Sequence, residues 1–182
     1  MRQRSLILYL LISIVVILLD QTTKLLILSN FAEGEAVSII GDLLYFQFVY
    51  NEGGAMGTSL GPSWLYTILT LAALALIIRY FIKDKSDGAS IKAPLALIFG
   101  GAVGNLIDRI RFGKVVDFID ADFPDIPFLG ITRWWTFNVA DAAITCGLMI
   151  FAIGFLLRKK RSVAPVAERV TPDTNQLNGD QN

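Results

Sequence analysis

The 182 residues suit one domain, and a hydrophobic share of 54% with a mean hydropathy of +0.57 lies above that of ordinary soluble domains, so a membrane protein is the favoured class. Lysine plus arginine and aspartate plus glutamate balance at 16 each, and no basic run has interleaved aromatics, so nothing in the charge implies a nucleic-acid partner. Histidine is absent, which excludes Ser-His-Asp and Cys-His catalysis, HExxH metalloprotease sites and most zinc sites, and the single Cys146 allows no internal disulfide.

Arg2 and Arg4 precede an apolar run from Leu6 to Leu19 that continues through Asp20, Lys24 and Ile27. A basic start and an apolar core resemble a secretory signal peptide, but no small-x-small cleavage site follows and the run extends to roughly the 20 residues of a membrane span. Asp20 and Lys24, spaced i,i+4, share a helical face. They form an ion pair near the end of the span, or they line a polar cavity.

Residues 31–60 are polar and glycine-rich, yet Val37 and Ile39 alternate with Ser38, Gly41-Asp42 offers a turn, and LLYFQFVY follows as a strand-like run. A small sheet lying on the membrane surface is expected. It ends in Asn51-Glu52-Gly53-Gly54-Ala55, which reads as a plain turn or as a place of close backbone approach.

A second span is expected from Trp64 to Ile82, then a short charged turn. The third, from Pro94 to Ile110, has Gly100 and Gly104 at small-xxx-small spacing, which suits helix packing. Near its end Asn105 and Asp108 share a face beside Arg109, and this group either neutralises itself or holds a polar ligand. Outside the membrane again, VVDFID alternates like a strand and Trp134-Trp135 suits an interfacial belt. The fourth span runs from Asn138 to Leu157 and ends in Arg158-Lys159-Lys160-Arg161.

The result is an all-α membrane protein of four transmembrane helices, at about 6–28, 64–82, 94–110 and 138–157, within a domain over 1–161. The inserts fall at 29–63 and 111–137, and the polar segment 162–182 is expected to be a disordered cytoplasmic tail. Four spans put both termini on one side. Arg2, Arg4, Arg79, Lys83, Lys85, Lys92, the 158–161 cluster and Arg169 fall there, against Lys24, Arg109, Arg111, Lys114 and Arg133 on the other, so the termini are expected in the cytoplasm. Asp20, Asp108, Asp117 and Asp141 then all lie toward the outer face.

On that shared face Asp117 and Asp141 can form a pair. Two carboxylates in a poorly solvated site do not both ionise readily, so one accepts a proton from water while the other donates to a carbonyl oxygen, which hydrolyses a peptide bond without metal or cofactor. The bland readings are as concrete. Asn138-Val139-Ala140-Asp141 looks like a helix cap with an acid three positions later, and Asp117 reads as a solvated strand position.

The motifs Asp20-Gln21-x-x-Lys24, Asn51-x-Gly53-x-Ala55, Gly100-Gly101-Ala102-x-Gly104-Asn105-x-x-Asp108-Arg109, Val115-Val116-Asp117-Phe118 and Phe137-Asn138-x-Ala140-Asp141-x-x-Ile144 together resemble those of the bacterial lipoprotein signal peptidase family (signal peptidase II). The resemblance covers Asp20 to Ile144. It implies a four-helix membrane aspartic peptidase with a small extracytoplasmic β-cradle, in the bacterial inner membrane, that cuts prolipoproteins just before a diacylglyceryl-modified cysteine. Membrane lipid is the other expected partner, with a monomer as the working state.

Carried over by position, the catalytic aspartates are Asp117 and Asp141, with Asp20, Lys24, Asn51, Gly53, Asn105, Asp108, Arg109, Asn138 and Ala140 around them. Asn51 and Arg109 would hold substrate carbonyls. Gly54 and Met56 depart from the alanine and phenylalanine of the family pattern, and Ala142 from a common serine. A small ion or proton transporter using Asp20, Lys24, Asp108 and Asp141 is the alternative, but it would place such groups at mid-membrane and show internal repeats, and no repeats are found. A scaffold protein leaves the cluster of polar residues without a reason.

Overall fold

In lipid every backbone amide must be satisfied within the protein, so apolar runs of this length form helices. The computed structural model describes residues 2–53, 61–83, 89–122 and 135–161. Its helices are α1 (Arg2–Asn30), α2 (Ser63–Lys83), α3 (Ala89–Phe112) and α4 (Val139–Arg161). All four are long and apolar enough to cross a membrane, with candidate spans of 25, 21, 23 and 19 residues. Gly54, Ala55, Met56, Trp134 and the segment 162–182 lie outside the described residues.

The distribution of side chains is that of a protein solvated by hydrocarbon. Leu8, Leu11, Val15, Leu18, Leu148, Ile153 and Leu157 are exposed on the outside, while Ser13, Asp20, Lys24, Asn105 and Asp108 are buried inside. Polar groups at such depth persist only when they satisfy one another.

Helix α3 lies against the other three. It begins five residues before the expected Pro94, because proline near a helix start costs only the hydrogen bond its missing N–H would give, here to the Ser90 carbonyl. Two glycines set its distance from α1. A Cβ on Gly100 would stand 2.8 Å from the Val16 Cβ, and one on Gly104 would stand 2.5 Å from Asp20 Oδ2. Gly104 therefore does more than let helices pack: it makes room for a carboxylate.

The expected sheet is present as β1 (Ala36–Ile40), β2 (Leu44–Asn51) and β3 (Val115–Ala121), antiparallel in the order β1-β2-β3. Gly41, at φ 49, makes the β1–β2 turn. Gly113, at φ 72, ends α3 in a left-handed cap and leads into β3 two residues later. An irregularity in the β2–β3 pairing between Phe46 and Val49 brings Val49 opposite Asp117 and Asn51 opposite Val115. Ile27, Phe48, Val116 and Phe118 form a buried cluster that joins the sheet to α1.

Candidate active site

Side chains alternate along a strand, so Val116 and Phe118, which enter the apolar cluster, leave Asp117 on the opposite face of β3. The free edge of β3 carries a strap. Phe137 accepts hydrogen bonds from Phe118 N–H (3.1 Å) and Ile119 N–H (2.8 Å) and donates its own N–H to the Ile119 carbonyl (3.0 Å). This strap delivers the next residue, Asn138, and the start of α4 to the side of Asp117.

Asn138 joins the two aspartates. Its Nδ2 donates to Asp117 Oδ1 at 2.7 Å, its backbone N–H donates to Asp141 Oδ2 at 3.3 Å, and its Oδ1 accepts from Asp141 N–H at 2.9 Å. The last two bonds form the reciprocal cap that the sequence pattern suggested. Capping uses only one Asp141 oxygen, however, and Oδ1 accepts a bond from Asn105 Nδ2 at 2.8 Å.

Asp117 Oδ2 accepts from Asn51 Nδ2 at 2.9 Å, and Asn51 is oriented in turn by Gly53, whose N–H donates to Asn51 Oδ1 at 2.8 Å. Asp117 is only 2% exposed, which is no solvated strand position. Burial, and after it the negative charge of Asp141, pushes the Asp117 carboxyl up to about 7, against the opposing pull of its Asn51 and Asn138 bonds and of Lys24.

Beneath the pair lies a buried ionic group. Lys24 Nζ is 2.9 Å from Asp20 Oδ2 and 2.8 Å from Asp108 Oδ2, and it donates to Asn105 Oδ1 at 2.9 Å. The Asp20–Lys24 ion pair thus has a third member. Each carboxylate also holds a backbone element: Asp20 Oδ1 accepts from Ala140 N–H at 2.9 Å and Asp108 Oδ2 from Val116 N–H at 3.1 Å. Ala140, fully buried, packs its small side chain toward Gly104.

Asp108 is paired with Lys24, so the Asn105-Asp108-Arg109 group does not simply neutralise itself. One Arg109 terminal nitrogen donates to the Gly53 carbonyl at 3.3 Å, and its guanidinium lies 5.8 Å from the Tyr66 ring centre. Arg109 Nε is buried with no hydrogen-bond partner among the described residues. Such a donor normally finds an acceptor.

The structure brings all eleven candidate residues into this one network. It adds Gln21, whose Nε2 donates to Asp20 Oδ2 (3.1 Å), the Gly104 carbonyl (3.2 Å) and Asp108 Oδ1 (3.1 Å). The signal for Gln21 was a polar amide within an apolar span. The Phe137 strap gave no such signal, since strand pairing at a single residue has no periodicity. Among the described residues no three His, Cys, Asp or Glu side chains form a group able to hold a metal ion.

The family profile described as Signal peptidase (SPase) II matches residues 12–157. The chain is 36% identical over 163 residues to the lipoprotein signal peptidase of Syntrophus aciditrophicus, covering 87% of this chain and 98% of the relative. It is 37% identical over 155 residues to that of Shouchella clausii, covering 83% and 96%. Among solved structures, a bacterial membrane enzyme determined by the in meso method at 2.3 Å resolution is similar with a TM-score of 0.76 and 31% identity, over 88% of this chain and 94% of that one.

Proposed function

We propose, for a chain that belongs to the signal peptidase II family, that its lipoprotein signal peptidase activity is of the aspartic type, with Asp117 and Asp141 as the catalytic pair. The observation that carries this reading is the bridge of Asn138, which holds a buried carboxyl of raised proton affinity and a helix-capping carboxylate on one residue.

In the reaction the ionised carboxylate takes a proton from water as the water oxygen attacks the scissile carbonyl carbon. The protonated carboxyl donates its proton to the carbonyl oxygen, giving a gem-diol. Return of a proton to the departing amine, with re-formation of the carbonyl, breaks the C–N bond and restores the pair to one shared proton. No covalent enzyme intermediate forms. Arg109 Nε is an orphan donor next to Gly53, and a substrate backbone carbonyl is the acceptor that suits it.

The substrate is a prolipoprotein, cut before its diacylglyceryl-modified cysteine. The site gathers the C-terminal ends of α1 and α3, the N-terminal end of α4 and the sheet at one end of the bundle, while most lysine and arginine residues of the sequence fall toward the other. That asymmetry supports cytoplasmic termini and a site facing outward, where the lipid-bearing cysteine of a substrate inserted in the same bilayer lies. The enzyme works as a monomer in contact with membrane lipid. The transporter alternative has no such support, since its carboxylates are tied to backbone and to Lys24 at one end of the helices.

The test is to incubate the purified protein with a diacylglyceryl-modified prolipoprotein in the presence of a chelator and to follow release of the signal peptide. Cleavage should proceed at an undiminished rate, because a carboxylate pair activates water without a Lewis acid. Loss of activity restored by zinc or manganese would make the aspartates metal ligands and overturn the reading.

A further inference from the structure

Lys24 is the one buried ammonium near the pair among the described residues, and it touches neither aspartate by hydrogen bond. Its connection runs through Asn105. An ammonium carries three protons and no acceptor, so Asp20 Oδ2, Asp108 Oδ2 and Asn105 must all present oxygen to it. The Asn105 amide is thereby fixed in direction. Its Oδ1 receives Lys24 (2.9 Å) and Asn138 Nδ2 (3.1 Å), and its Nδ2 is left to donate to Asp141 Oδ1 at 2.8 Å.

Asp141 is thus met by donors on both oxygens, Asn105 Nδ2 on Oδ1 and the Asn138 N–H on Oδ2. It also lies in the first turn of α4, at the positive end of the helix dipole. Asp117 accepts two amide donors as well, but it is on a strand, almost fully buried, with the charge of Asp141 beside it. The two environments differ: Asp141 has the helix N-terminus beside it, whereas Asp117 has the Asp141 charge.

We propose that Lys24 is a positioning residue of the reaction: by fixing Asn105 as a donor toward Asp141, it keeps Asp141 the ionised member that takes the proton from water and leaves the proton on Asp117. The inference rests on the aspartic reading above. The charged and titratable groups around Asp141 are Asp20 and Lys24 on α1, Asp108 and Arg109 on α3, Asp117 on β3, and Tyr66 on α2 beyond Arg109. The Asp20 charge opposes ionisation of Asp141, and Asp108 adds a second negative charge to the same cluster. Lys24, paired with both, cancels that opposition, so its removal frees two repelling charges and lets Asn105 turn.

The experiment is the pH dependence of kcat for full-length protein acting on a diacylglyceryl-modified prolipoprotein, compared among wild type, Lys24→Met and Lys24→Arg. Lys24→Met should lower kcat about tenfold or more near neutral pH, with KM little changed, and should move the acid limb of the profile to higher pH. Lys24→Arg, which keeps a cation and its donors, should return the limb toward its wild-type position. An acid limb that stays in place in Lys24→Met overturns the inference.

Lys24→Met leaves Asp20 and Asp108 unpaired and is at risk of failing to fold. A second measurement needs no change at Lys24: infrared spectra of aspartate-labelled protein at about pH 6, below the value near 7 of Asp117. The protonated carboxyl band should vanish in Asp117→Asn and persist in Asp141→Asn, and the reverse pattern overturns the inference. Inactive Asn variants with an unmoved acid limb sink this inference alone, whereas active Asn variants sink the aspartic reading with it.

Discussion

Asn138 and Asp141 cap each other: the Asn138 side-chain oxygen accepts from Asp141 N–H at 2.9 Å, and Asp141 Oδ2 accepts from Asn138 N–H at 3.3 Å. The same Asn138 donates to Asp117 at 2.7 Å. One residue therefore ties the helix cap to the proposed catalytic pair, and a substitution can separate the two roles.

Serine is as good a helix cap as asparagine but is too short to reach Asp117 while it caps. Asn138→Ser should keep the protein folded, with a stability loss of about 1–3 kcal/mol from the buried acceptors it leaves unpaired, and should lower turnover by about tenfold or more. Thermal unfolding in detergent, run beside the cleavage assay, reads both. Wild-type turnover in the folded variant would mean that Asn138 is only a cap.

The raised proton affinity of Asp117 gives a pH signature of defined sign. Burial and the Asp141 charge place its folded value at about 7, above the ordinary aspartate value of 3.8. Its contribution to stability is then fully present below the unfolded value and lost as pH rises through 7. Turnover should fall over the same upper range as the donor proton is lost. Asp117→Asn has nothing to titrate, so relative to wild type it should be more stable at pH 8 than at pH 4. A stability difference independent of pH would show that Asp117 is not buried as a protonated acid.

Much of this site was legible in the sequence, and the limits have physical causes. Hydropathy located the four spans because lipid leaves a helix little choice, period-two alternation located β1 and β3, and a run of β-branched and aromatic residues located β2. The start of α3 was misplaced because proline signals a boundary, whereas the helix runs through Pro94. Asp20 and Lys24 were recognisable as partners by i,i+4 spacing. That Asp108 completes the triad was not, since Lys24 and Asp108 are brought together only when Gly104 lets α1 and α3 approach. Burial of Asp117 likewise depends on the Phe137 strap, which no local pattern announces.

Gly104 supplies the next test. An added Cβ would stand 2.5 Å from Asp20 Oδ2 and 3.0 Å from its carboxyl carbon, and that carboxylate is already committed to Lys24, Gln21 and the Ala140 N–H. Gly104→Ala should therefore destabilise the protein by about 1–3 kcal/mol and lower activity. Wild-type thermal stability in this variant would show that Asp20 can retreat freely and that the triad is not tightly held.

Orientation in the membrane is open to a direct check. Reporters fused after Lys83 or at the C-terminus should report the cytoplasm, and reporters near Glu33 or Asp122 should report the outer side. An outside signal after Lys83 would turn the site inward and remove its access to exported prolipoproteins.

The most direct measurement is prolipoprotein cleavage by Asp117→Asn, Asp141→Asn and the double variant, each shown to be folded and inserted. Asparagine keeps the shape and, at 141, much of the cap, but an amide can neither take a proton from water nor donate a carboxylic acid proton. Each single variant should be inactive, and the double variant barely worse than either, because the two groups act as one unit. Near wild-type turnover in either single variant would contradict the catalytic pair.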